Sequence, residues 1–564
     1  MKPRLQAAFI PNRFYFLIVL ILLLVTGLTI RIIDLTLINR NFLQHQGDVR
    51  AVRTIDTPAF RGIITDRNGY PLAVSTTVYS VWINPQEFSF SNQDIKLVSE
   101  SLGLSVAEIK KILLKEKNKH KEFVYIKRGV SPDIATRLKQ NGLSGVYFQE
   151  TYKRYYPEGE VAAHMLGFTN IDDVGQEGIE LAYNEWLSGH SGKKTVVKDR
   201  RGHVVSDITQ ISEQKPGNDL TLSIDRRIQY LAYRELMQGV AKNVATSGTV
   251  VVLDVKTGEV LAMVNNPSFN PNNRSPKQKD VYRNRAITDT FEPGSTIKAF
   301  SIASALDSGL FKPTTVIDTY PGWFRVDHHV VRDEHNNNSI NVAQILQVSS
   351  NVGTTKMILA LPSNQLWNLL HRVGFGETTG TGFPGEQGGS LVKRSVWAPF
   401  ALATLAFGYG ISVTPLQLAQ AYSVFANDGI KIPVSLLKVD KSPVGERVLN
   451  EKTAKQMRDL LETVVSTKGA TGELAQVPGY RVAGKTGTAL MAGIHGYQQH
   501  RYTSSFIGLA PASHPRLIVA VIIHDPQGKH YYASQVCAPI FEKIMEGALR
   551  ILNIEPDGLA TSAA

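Results

Sequence analysis

The sequence predicts an α+β protein in which a short apolar anchor precedes two domains, the second built on a mainly antiparallel sheet covered by helices. Residues 14–30 are uncharged and strongly apolar. Turn signals throughout residues 45–215 separate short strand and helix patterns. In the remaining chain, β-rich runs stand at both ends with helical patterns between them. Such an order favours one sheet that brings the two ends of a domain together.

Length and composition are those of a globular protein with more than one domain. The chain has 564 residues, enough for several domains and a large core. The net charge is +12, but basic and acidic residues are interspersed, and the densest basic run, residues 115–121, is typical of a solvated face. No nucleic-acid partner is therefore expected. The single cysteine, Cys537, excludes an internal disulfide and is expected to be a small core residue.

Residues 14–33 are predicted to form a transmembrane anchor. The apolar run is at the short limit for a spanning helix, and Ile32 and Ile33 extend it if Arg31 snorkels. Basic residues precede the run with no acidic residue before Asp34, which favours a cytoplasmic tail at residues 1–13. The alternative is a cleaved signal peptide. No small-x-small pattern follows the run, so a retained anchor is favoured, with the rest of the chain outside the cytoplasmic membrane.

Residues 34–215 are predicted to form a first domain with a structural role. Asn68-Gly69 is a hairpin turn signal, and residues 104–115 show helical apolar spacing. Spacing in this region indicates neither a metal site nor a nucleophile–base pair. Pro216-Gly217 marks a boundary, after which residues 216–554 are predicted to form the second domain and residues 555–564 a disordered tail.

The second domain has predicted elements at both of its ends. Residues 226–244 are expected to be a helix, and residues 249–254 and 259–264 a hairpin. Near its end, residues 504–510 and 517–525 are further β-rich runs. A terminal helix from about Pro539 to Leu552 follows them.

A Ser-x-x-Lys motif stands within the helical part of this domain. Pro293-Gly294 is a turn signal, and the apolar spacing after it predicts a buried helix that starts at Ser295. Lys298 is three residues further, so both side chains share one face. A neighbouring amine with a lowered pKa can take a serine proton. For an isolated motif, a helix cap followed by a solvated lysine is the commoner explanation.

Two later segments change that assessment. Ser349-Ser350-Asn351 follows a helical pattern, and Lys485-Thr486-Gly487-Thr488 ends a β-like run from Tyr480. Each has a simple structural explanation alone, a helix cap or a strand entering a turn. Together with Ser295 and Lys298, in this order, they form the set typical of penicillin-binding proteins and class A β-lactamases.

The sequence resembles the class B penicillin-binding proteins, and most closely the division-specific (septal) peptidoglycan D,D-transpeptidases. The resemblance covers nearly the whole chain. It includes Arg61-Gly62, Asp66-Arg67-Asn68-Gly69, Tyr156-Pro157, Gly178-Ile179-Glu180, Arg283-Asn284-Arg285-Ala286, Gly382-Phe383-Pro384-Gly385-Glu386 and Phe407-Gly408-Tyr409-Gly410. It implies a pedestal (dimerisation-like) domain beneath a transpeptidase domain of the penicillin-binding-protein/serine β-lactamase-like fold. No glycosyltransferase pattern precedes the pedestal, which disfavours class A.

The resemblance also implies the roles of the catalytic residues. Ser295 is the nucleophile that attacks the D-Ala-D-Ala carbonyl of a donor stem peptide. Lys298 is its general base, with Ser349 or water as the alternatives. Ser349 relays a proton to the leaving D-Ala, and Asn351 holds the substrate amide and Lys298. Lys485 raises the local positive potential.

The same resemblance implies how the substrate binds. Thr486, Gly487 and Thr488 contact the substrate or β-lactam, the two threonines through its carboxylate, and the backbone N–H groups of Ser295 and Thr488 form the oxyanion hole. Tyr409, Tyr502 and Tyr532 are expected to line the cleft, although buried packing explains each of them nearly as well.

Two positions depart from the family pattern. Leu490 and Met491 stand where basic residues are common, which puts a secondary ligand contact in doubt. Ala533-Ser534 stands in place of the usual Gly-Gly, so a different local turn is expected.

Serine acyl transfer needs no cofactor, and none is expected. His328, His329 and His335, with Asp327 and Asp333, raise the alternative of a metal site, but their spacing fits no standard zinc pattern.

The partners implied are peptidoglycan stem peptides, β-lactams, a membrane-embedded glycosyltransferase and other division proteins. Alternative functions are an elongation-specific transpeptidase, a β-lactamase-like hydrolase, or a division scaffold or β-lactam sensor with little turnover. The long pedestal and the anchor disfavour the hydrolase.

Overall fold

The computed structural model describes residues 12–113, 115, 121–198, 204–275, 279–493 and 496–558. Most of the predicted tail 1–13 and of the basic run 115–121 lies outside these residues. The helices are α1 (Asn12–Ile33), α2 (Arg40–Ala51), α3 (Asn92–Leu102), α4 (Val106–Leu113), α5 (Pro132–Gln140), α6 (Ala163–Leu166), α7 (Gly178–Ala182), α8 (Asn184–Leu187), α9 (Arg226–Lys242), α10 (Arg285–Thr288), α11 (Lys298–Asp307), α12 (Val342–Gln347), α13 (Asn351–Leu359), α14 (Gln365–Arg372), α15 (Pro399–Ala406), α16 (Pro415–Ala426), α17 (Glu451–Ser466), α18 (Ala533–Val536) and α19 (Ala538–Ile551).

Most strands belong to antiparallel pairs. They are β1 (Val52–Thr57), β2 (Ile64–Thr65), β3 (Pro71–Ile83), β4 (Val124–Val130), β5 (Val146–Tyr155), β6 (Phe168–Thr169), β7 (Gly175–Glu177), β8 (Gly192–Lys198), β9 (Val204–Ser212), β10 (Leu220–Thr221), β11 (Ala245–Asp254), β12 (Val260–Asn266), β13 (Val316–Asp318), β14 (Trp323–Val326), β15 (His329–Arg332), β16 (Ser339–Asn341), β17 (Ile430–Lys431), β18 (Glu446–Arg447), β19 (Ala483–Gly493), β20 (Gly496–Ala510) and β21 (Leu517–Pro526).

The N-terminal helix has the properties of a membrane anchor. Within the described residues, Asn12–Ile38 is the one helix long and apolar enough to cross a membrane; it comprises α1 and a π-helical segment, Asp34–Ile38. Its large apolar side chains are exposed, which fits single-pass membrane anchoring. Arg31, expected to snorkel, forms an ion pair with Asp34 at 2.8 Å.

The described chain divides into two compact units. The smaller holds the chain up to Phe60 together with Thr77–Tyr152 and Gly189–Pro216, and the larger holds Arg61–Thr76, Lys153–Ser188 and the chain from Gly217 onward. The domain boundaries 34–215 and 216–554 stay a prediction, because compactness alone does not define a folding domain.

The smaller unit contains two antiparallel arrangements. β1, β8 and β9 form a three-stranded sheet in that order, and the later part of β3 pairs with β4. Helices α3 to α5 bury Val98, Ile109 and Leu138 against the β3–β4 pair. Ser91 caps α3 by accepting a hydrogen bond from the Asp94 N–H at 3.1 Å, which satisfies a donor that the helix itself cannot.

The early segments of the larger unit are organised around a buried carboxylate. Glu180 accepts hydrogen bonds from Arg61 and Arg154, each at 2.6 Å, and all three side chains are buried. Two guanidinium partners compensate the cost of burying one carboxylate. The hairpin of β2 and β3 turns at Asn68-Gly69, where Gly69 has φ +86°, as its turn signal predicted.

A five-stranded antiparallel sheet, ordered β12-β11-β21-β20-β19, forms the centre of the larger unit. Alternate residues of its strands point to opposite faces, so Val250 and Val252 join the core under α9 and α19, whereas Val251 and Leu253 join the core that contains α11 and α16. Both faces are therefore buried. The predicted α+β class, with its mainly antiparallel sheet, is confirmed, and Cys537 is a buried core residue as expected.

Two predictions about local structure are wrong, and a third is wrong for part of its range. Lys485-Thr486-Gly487-Thr488 does not end a strand, because pairing with β20 continues β19 to Gly493. The Ser295 helix is preceded by a 3-10 turn, Gly294–Ile297, so Ser295 lies in that turn and α11 begins at Lys298.

The third concerns the predicted disordered tail, 555–564. Residues up to 558 are held, because Asp557 accepts hydrogen bonds from the Arg481 and Ser513 N–H groups at 2.7 and 3.0 Å. Gly558 N–H also donates to the Gly479 carbonyl. Residues 559–564 lie outside the described residues.

Candidate active site

The turn that carries Ser295 is fixed by close backbone contacts. Gly294 has φ +54°, a conformation that favours glycine, and its N–H donates to the Gly408 carbonyl at 3.2 Å. The buried Tyr422 hydroxyl donates to the Thr296 carbonyl at 2.8 Å. Ser295 itself is half-buried, whereas Lys298 is fully buried. A 3-10 turn places residues three apart on the same side, so the two side chains share a face.

Strand β19 lies directly against this turn. A Cβ at Gly487 would lie 2.8 Å from the Pro293 carbonyl oxygen and 2.6 Å from the Ser505 hydroxyl oxygen, so only glycine lets the strand approach this closely. The Thr488 carbonyl also packs beside Gly294. The Lys-Thr-Gly segment is thus placed beside the Ser295 turn by backbone packing.

Ser349 connects the two motif lysines. Its hydroxyl oxygen accepts hydrogen bonds from Lys298 Nζ at 3.2 Å and from Lys485 Nζ at 3.1 Å. Lys298 Nζ also donates to the Ser349 carbonyl. Ser349 has φ +60°, an uncommon conformation for serine, and it occupies the break between α12 and α13. Such local strain is maintained only where surrounding contacts favour it, and here those contacts come from both lysines.

Burial controls the charges of the two lysines. It lowers the pKa of Lys298 to about 7, against opposing contributions from the carboxylates of Asp333 and Glu334. Burial also lowers the pKa of Lys485 well below its ordinary value, and the charge of Lys298 lowers it further. Burial is the largest cause of the lowered pKa of Lys298. The two lysine amines therefore compete for protons, and a substrate carboxylate that binds beside them would favour their protonated forms.

The remaining motif residues have defined contacts. Lys485 Nζ donates to Thr486 Oγ1 at 3.3 Å, and Thr488 Oγ1 accepts from the Ala533 N–H at 3.1 Å. Asn351 Nδ2 donates to the Arg332 carbonyl at 2.9 Å. Among the hydrogen bonds of the described residues, none joins Asn351 to Lys298. The expected contact between them is therefore not formed in this structure.

The three predicted cleft tyrosines fall into two groups. The Tyr409 hydroxyl accepts from the Leu490 N–H at 3.4 Å, and its ring meets the edge of Tyr497 at 5.4 Å. Tyr502 and Tyr532 belong to one stack through Tyr531, with ring centroids 4.2 and 4.3 Å apart.

The histidine-rich segment has structural contacts. His329 stacks on Phe400 at 4.0 Å, and Asp333 accepts hydrogen bonds from Ser350 and Val352. The described part of the chain contains no group of three or more His, Cys, Asp or Glu side chains arranged to hold a metal ion.

Comparison with known proteins identifies the family. Residues 248–546 match the penicillin binding protein transpeptidase domain, and residues 56–222 match the penicillin-binding protein dimerisation domain. Together these matches cover most of the chain. The chain belongs to the penicillin-binding proteins.

Relatives of this penicillin-binding protein share nearly its whole length. The peptidoglycan D,D-transpeptidase FtsI of Escherichia coli K12 is 42% identical, covering 99% of this chain and 96% of the relative. The probable peptidoglycan D,D-transpeptidase PbpC of Pseudomonas aeruginosa is also 42% identical, over 98% and 97%. The probable peptidoglycan D,D-transpeptidase PenA of Neisseria meningitidis serogroup B is 40% identical, over 98% and 95%.

Solved structures agree in fold. A peptidoglycan synthetase from Bifidobacterium adolescentis has a TM-score of 0.71 at 27% identity, covering 90% of this penicillin-binding protein and 97% of that chain. The transpeptidase domain of Burkholderia pseudomallei penicillin-binding protein 3 has a TM-score of 0.55 at 39% identity, covering 60% and 97%.

Sequence reasoning assigned no role to several residues beside the motifs of this penicillin-binding protein. Glu292 Oε1 accepts from the Gly410 N–H at 3.0 Å and from the Tyr497 hydroxyl at 3.1 Å, and burial raises the pKa of this carboxyl. Its place next to the Pro293-Gly294 turn was the only available signal. The sequence indicated Asp333 only as an alternative metal ligand and indicated no role for Tyr531. Their contacts depend on segments that are distant in sequence.

Proposed function

We propose that this penicillin-binding protein is a septal peptidoglycan D,D-transpeptidase, which cross-links stem peptides through an acyl-enzyme on Ser295 during cell division. Relatives named as peptidoglycan D,D-transpeptidases share 40–42% identity over nearly the whole chain. The observation that carries the proposal is the Ser349 hydroxyl, which joins Lys298 and Lys485 beside the Ser295 turn. A serine nucleophile needs an adjacent base, and a neutral Lys298 amine with Ser349 as the proton relay can supply it.

In the first half-reaction, Ser295 Oγ attacks the carbonyl carbon of the D-Ala-D-Ala bond. Its proton passes to the neutral amine of Lys298, whose pKa of about 7 leaves a large unprotonated fraction at neutral pH. The backbone N–H groups of Ser295 and Thr488 stabilise the resulting oxyanion. Losing one donor of this kind costs about 3–4 kcal/mol of transition-state stabilisation.

The C–N bond then breaks, and the leaving D-Ala amine receives a proton through Ser349. Both lone pairs of the Ser349 hydroxyl accept from lysine ammonium or amine groups, so its O–H is free to donate. An acceptor amine from a second stem peptide attacks the acyl carbonyl, the ester to Ser295 breaks, and the amine proton returns to Ser295 through Lys298. The product is an amide cross-link.

The remaining motif residues bind the substrate. Lys485, Thr486 and Thr488 hold its carboxylate, and Asn351 holds its amide. Gly487 lets β19 lie against the Ser295 turn beside the bound peptide, and Tyr409, Tyr502 and Tyr532 line the cleft. β-Lactams imitate D-Ala-D-Ala, follow the first half-reaction and leave a slowly hydrolysed acyl-serine.

The anchor gives the protein its place in the cell. Residues 1–13 lie in the cytoplasm, α1 crosses the cytoplasmic membrane, and the catalytic domain lies in the periplasm at the septum. The partners there are a membrane-embedded glycosyltransferase and other division proteins. The exposed apolar side chains of α1 support the anchoring.

Labelled penicillin tests the chemistry. Wild-type protein should bind the label covalently and Ser295→Ala should not, whereas Ser308→Ala, directly after the end of α11, should label normally. Label that persists on Ser295→Ala and maps to another serine contradicts the assigned nucleophile.

Depletion followed by microscopy tests the cellular role. Filamentous cells support septal synthesis, and rounded cells indicate the elongation-specific alternative. Growth and division restored by Ser295→Ala would instead favour a scaffold or sensor with little turnover.

A further inference from the structure

The segment before the Ser349-Ser350-Asn351 motif contacts that motif through hydrogen bonds and apolar packing. It contains the hairpin of β14 and β15, which pairs Trp323 with Arg332 and Val326 with His329. Directly after β15, Asp333 N–H donates to the Gly322 carbonyl at 2.9 Å, so the position of Asp333 is fixed by the base of the hairpin.

Both carboxylate oxygens of Asp333 are used by the start of α13. Oδ2 accepts from the Ser350 hydroxyl at 2.6 Å, and Oδ1 accepts from the Val352 N–H at 2.9 Å. The Ser350 hydroxyl oxygen in turn accepts from the Gly353 N–H at 2.9 Å. Hydrogen bonds to an ionised carboxylate are roughly twice as strong as neutral ones, and a negative charge at a helix N-terminus is favourable.

A small apolar cluster fixes the same two elements together. Val326 and Val331 of the hairpin are buried with Val352 of α13 and Ala403 of α15. The hairpin is thus a packed support for α13, and the Asp333 hydrogen bonds are its polar connection to the residue that follows Ser349.

We propose that Asp333 is a positioning residue for acyl transfer, which holds the start of α13 so that the Ser349 hydroxyl stays between the two motif lysines. Ser349 has a left-handed backbone conformation that serine seldom adopts, so it depends on surrounding contacts: the two lysines at its hydroxyl and the Asp333 hydrogen bonds at the start of α13. Asp333 touches neither nucleophile nor lysine through a hydrogen bond in the described residues, so it acts through Ser350 and the Val352 N–H. This inference rests on the proposed function, because the reaction that it supports is acylation of Ser295.

Three variants of the full chain in detergent separate position from charge. Ser350→Ala removes the hydrogen bonds of the Ser350 hydroxyl with Asp333 and the Gly353 N–H, and keeps the Asp333 charge. Glu334→Gln removes a neighbouring exposed charge, which also acts on Lys298, and leaves the hydrogen bonds intact. Asp333→Asn changes both. The groups with charges that act on this site are Asp333, Glu334 and the two motif lysines.

The measurement is the rate of acylation by labelled penicillin from pH 5.5 to 9, resolved into the rate at saturation and the apparent binding constant. Asp333→Asn and Ser350→Ala should lower the rate at saturation about 10–100-fold with little change in binding, because a misplacement near 1 Å can cost about a hundredfold. Glu334→Gln should keep the plateau rate. Since both carboxylates raise the pKa of Lys298, Asp333→Asn and Glu334→Gln should move the acidic limb to lower pH, whereas Ser350→Ala should leave it in place.

The double variant Asp333→Asn/Ser350→Ala gives a further check. The two residues share one hydrogen bond, so the combined loss should be smaller than the product of the single losses. A double variant whose loss equals the product of the two single losses overturns the proposal. A plateau rate for Ser350→Ala within about twofold of wild type also overturns it. If Asp333→Asn does not fold, Ser350→Ala decides alone. Absence of labelling in wild-type protein would instead refute the proposed function, which is a different result.

Discussion

Replacing Lys298 by methionine should abolish acylation and stabilise the protein at neutral pH. Burial lowers the pKa of Lys298 from 10.5 to about 7, which corresponds to about 5 kcal/mol of cost for keeping its proton in the folded state. Methionine has a similar length and no charge to bury. The variant also loses hydrogen bonds to Ser349, worth about 1–2 kcal/mol together. The expected net gain at pH 7 is about 2–4 kcal/mol.

The sign of the pH dependence follows from proton binding. Between pH 7 and 10.5 the unfolded chain binds a proton at Lys298 that the folded protein does not, so Lys298 makes the wild-type protein more stable as pH rises through this window. Below about pH 7 both states are protonated, and the cost of burying the charge is fully present. The advantage of Lys298→Met should therefore shrink from pH 7 to pH 10.

The assay compares thermal unfolding midpoints of the full chain in detergent at pH 7 and pH 10, with labelled penicillin as the activity readout. Lys452→Met, at an exposed position of α17, is the matched control and should change neither stability nor labelling. The reasoning is refuted if Lys298→Met is no more stable than wild type at pH 7, or if the difference between them is the same at both pH values.

Four other substitutions test further parts of the site and the fold. Lys298→Arg should abolish acylation because arginine does not release its proton, whereas Lys485→Arg keeps the charge and should retain part of the rate. The acylation rates of both variants are measured from pH 6 to 10. An active Lys298→Arg protein with an unchanged pH profile would show that Lys298 is not the base. Gly487→Ala should lower the acylation rate about 10–100-fold, since its Cβ would lie 2.6 Å from Ser505 Oγ. A normal rate would show that β19 can shift to accommodate the methyl group without displacing the site. Glu180→Gln should destabilise the larger unit by about 3–5 kcal/mol, because two buried guanidinium groups lose their counter-charge; an unchanged unfolding midpoint contradicts this.

Local patterns in the sequence determined the anchor, the sheet and the identity of the motif residues. The apolar run, the hairpin signal at Asn68-Gly69 and the β-rich runs that became β20 and β21 depend on neighbouring residues and periodicity, so a single chain reveals them. The family motifs also predicted which side chains belong to the site. Their order along the chain was sufficient for that prediction.

Only the tertiary structure decided how those residues meet. The left-handed conformation of Ser349, the extension of β19 through its motif and the absence of an Asn351–Lys298 hydrogen bond in the described residues depend on contacts between segments far apart in sequence. Asp333 illustrates the same limit, because its partners are set by hairpin packing. Burial depends on the whole fold, and burial is the largest cause of the lowered pKa of Lys298. The sequence therefore shows which residue is a lysine, whereas the surrounding packing determines whether that lysine is charged.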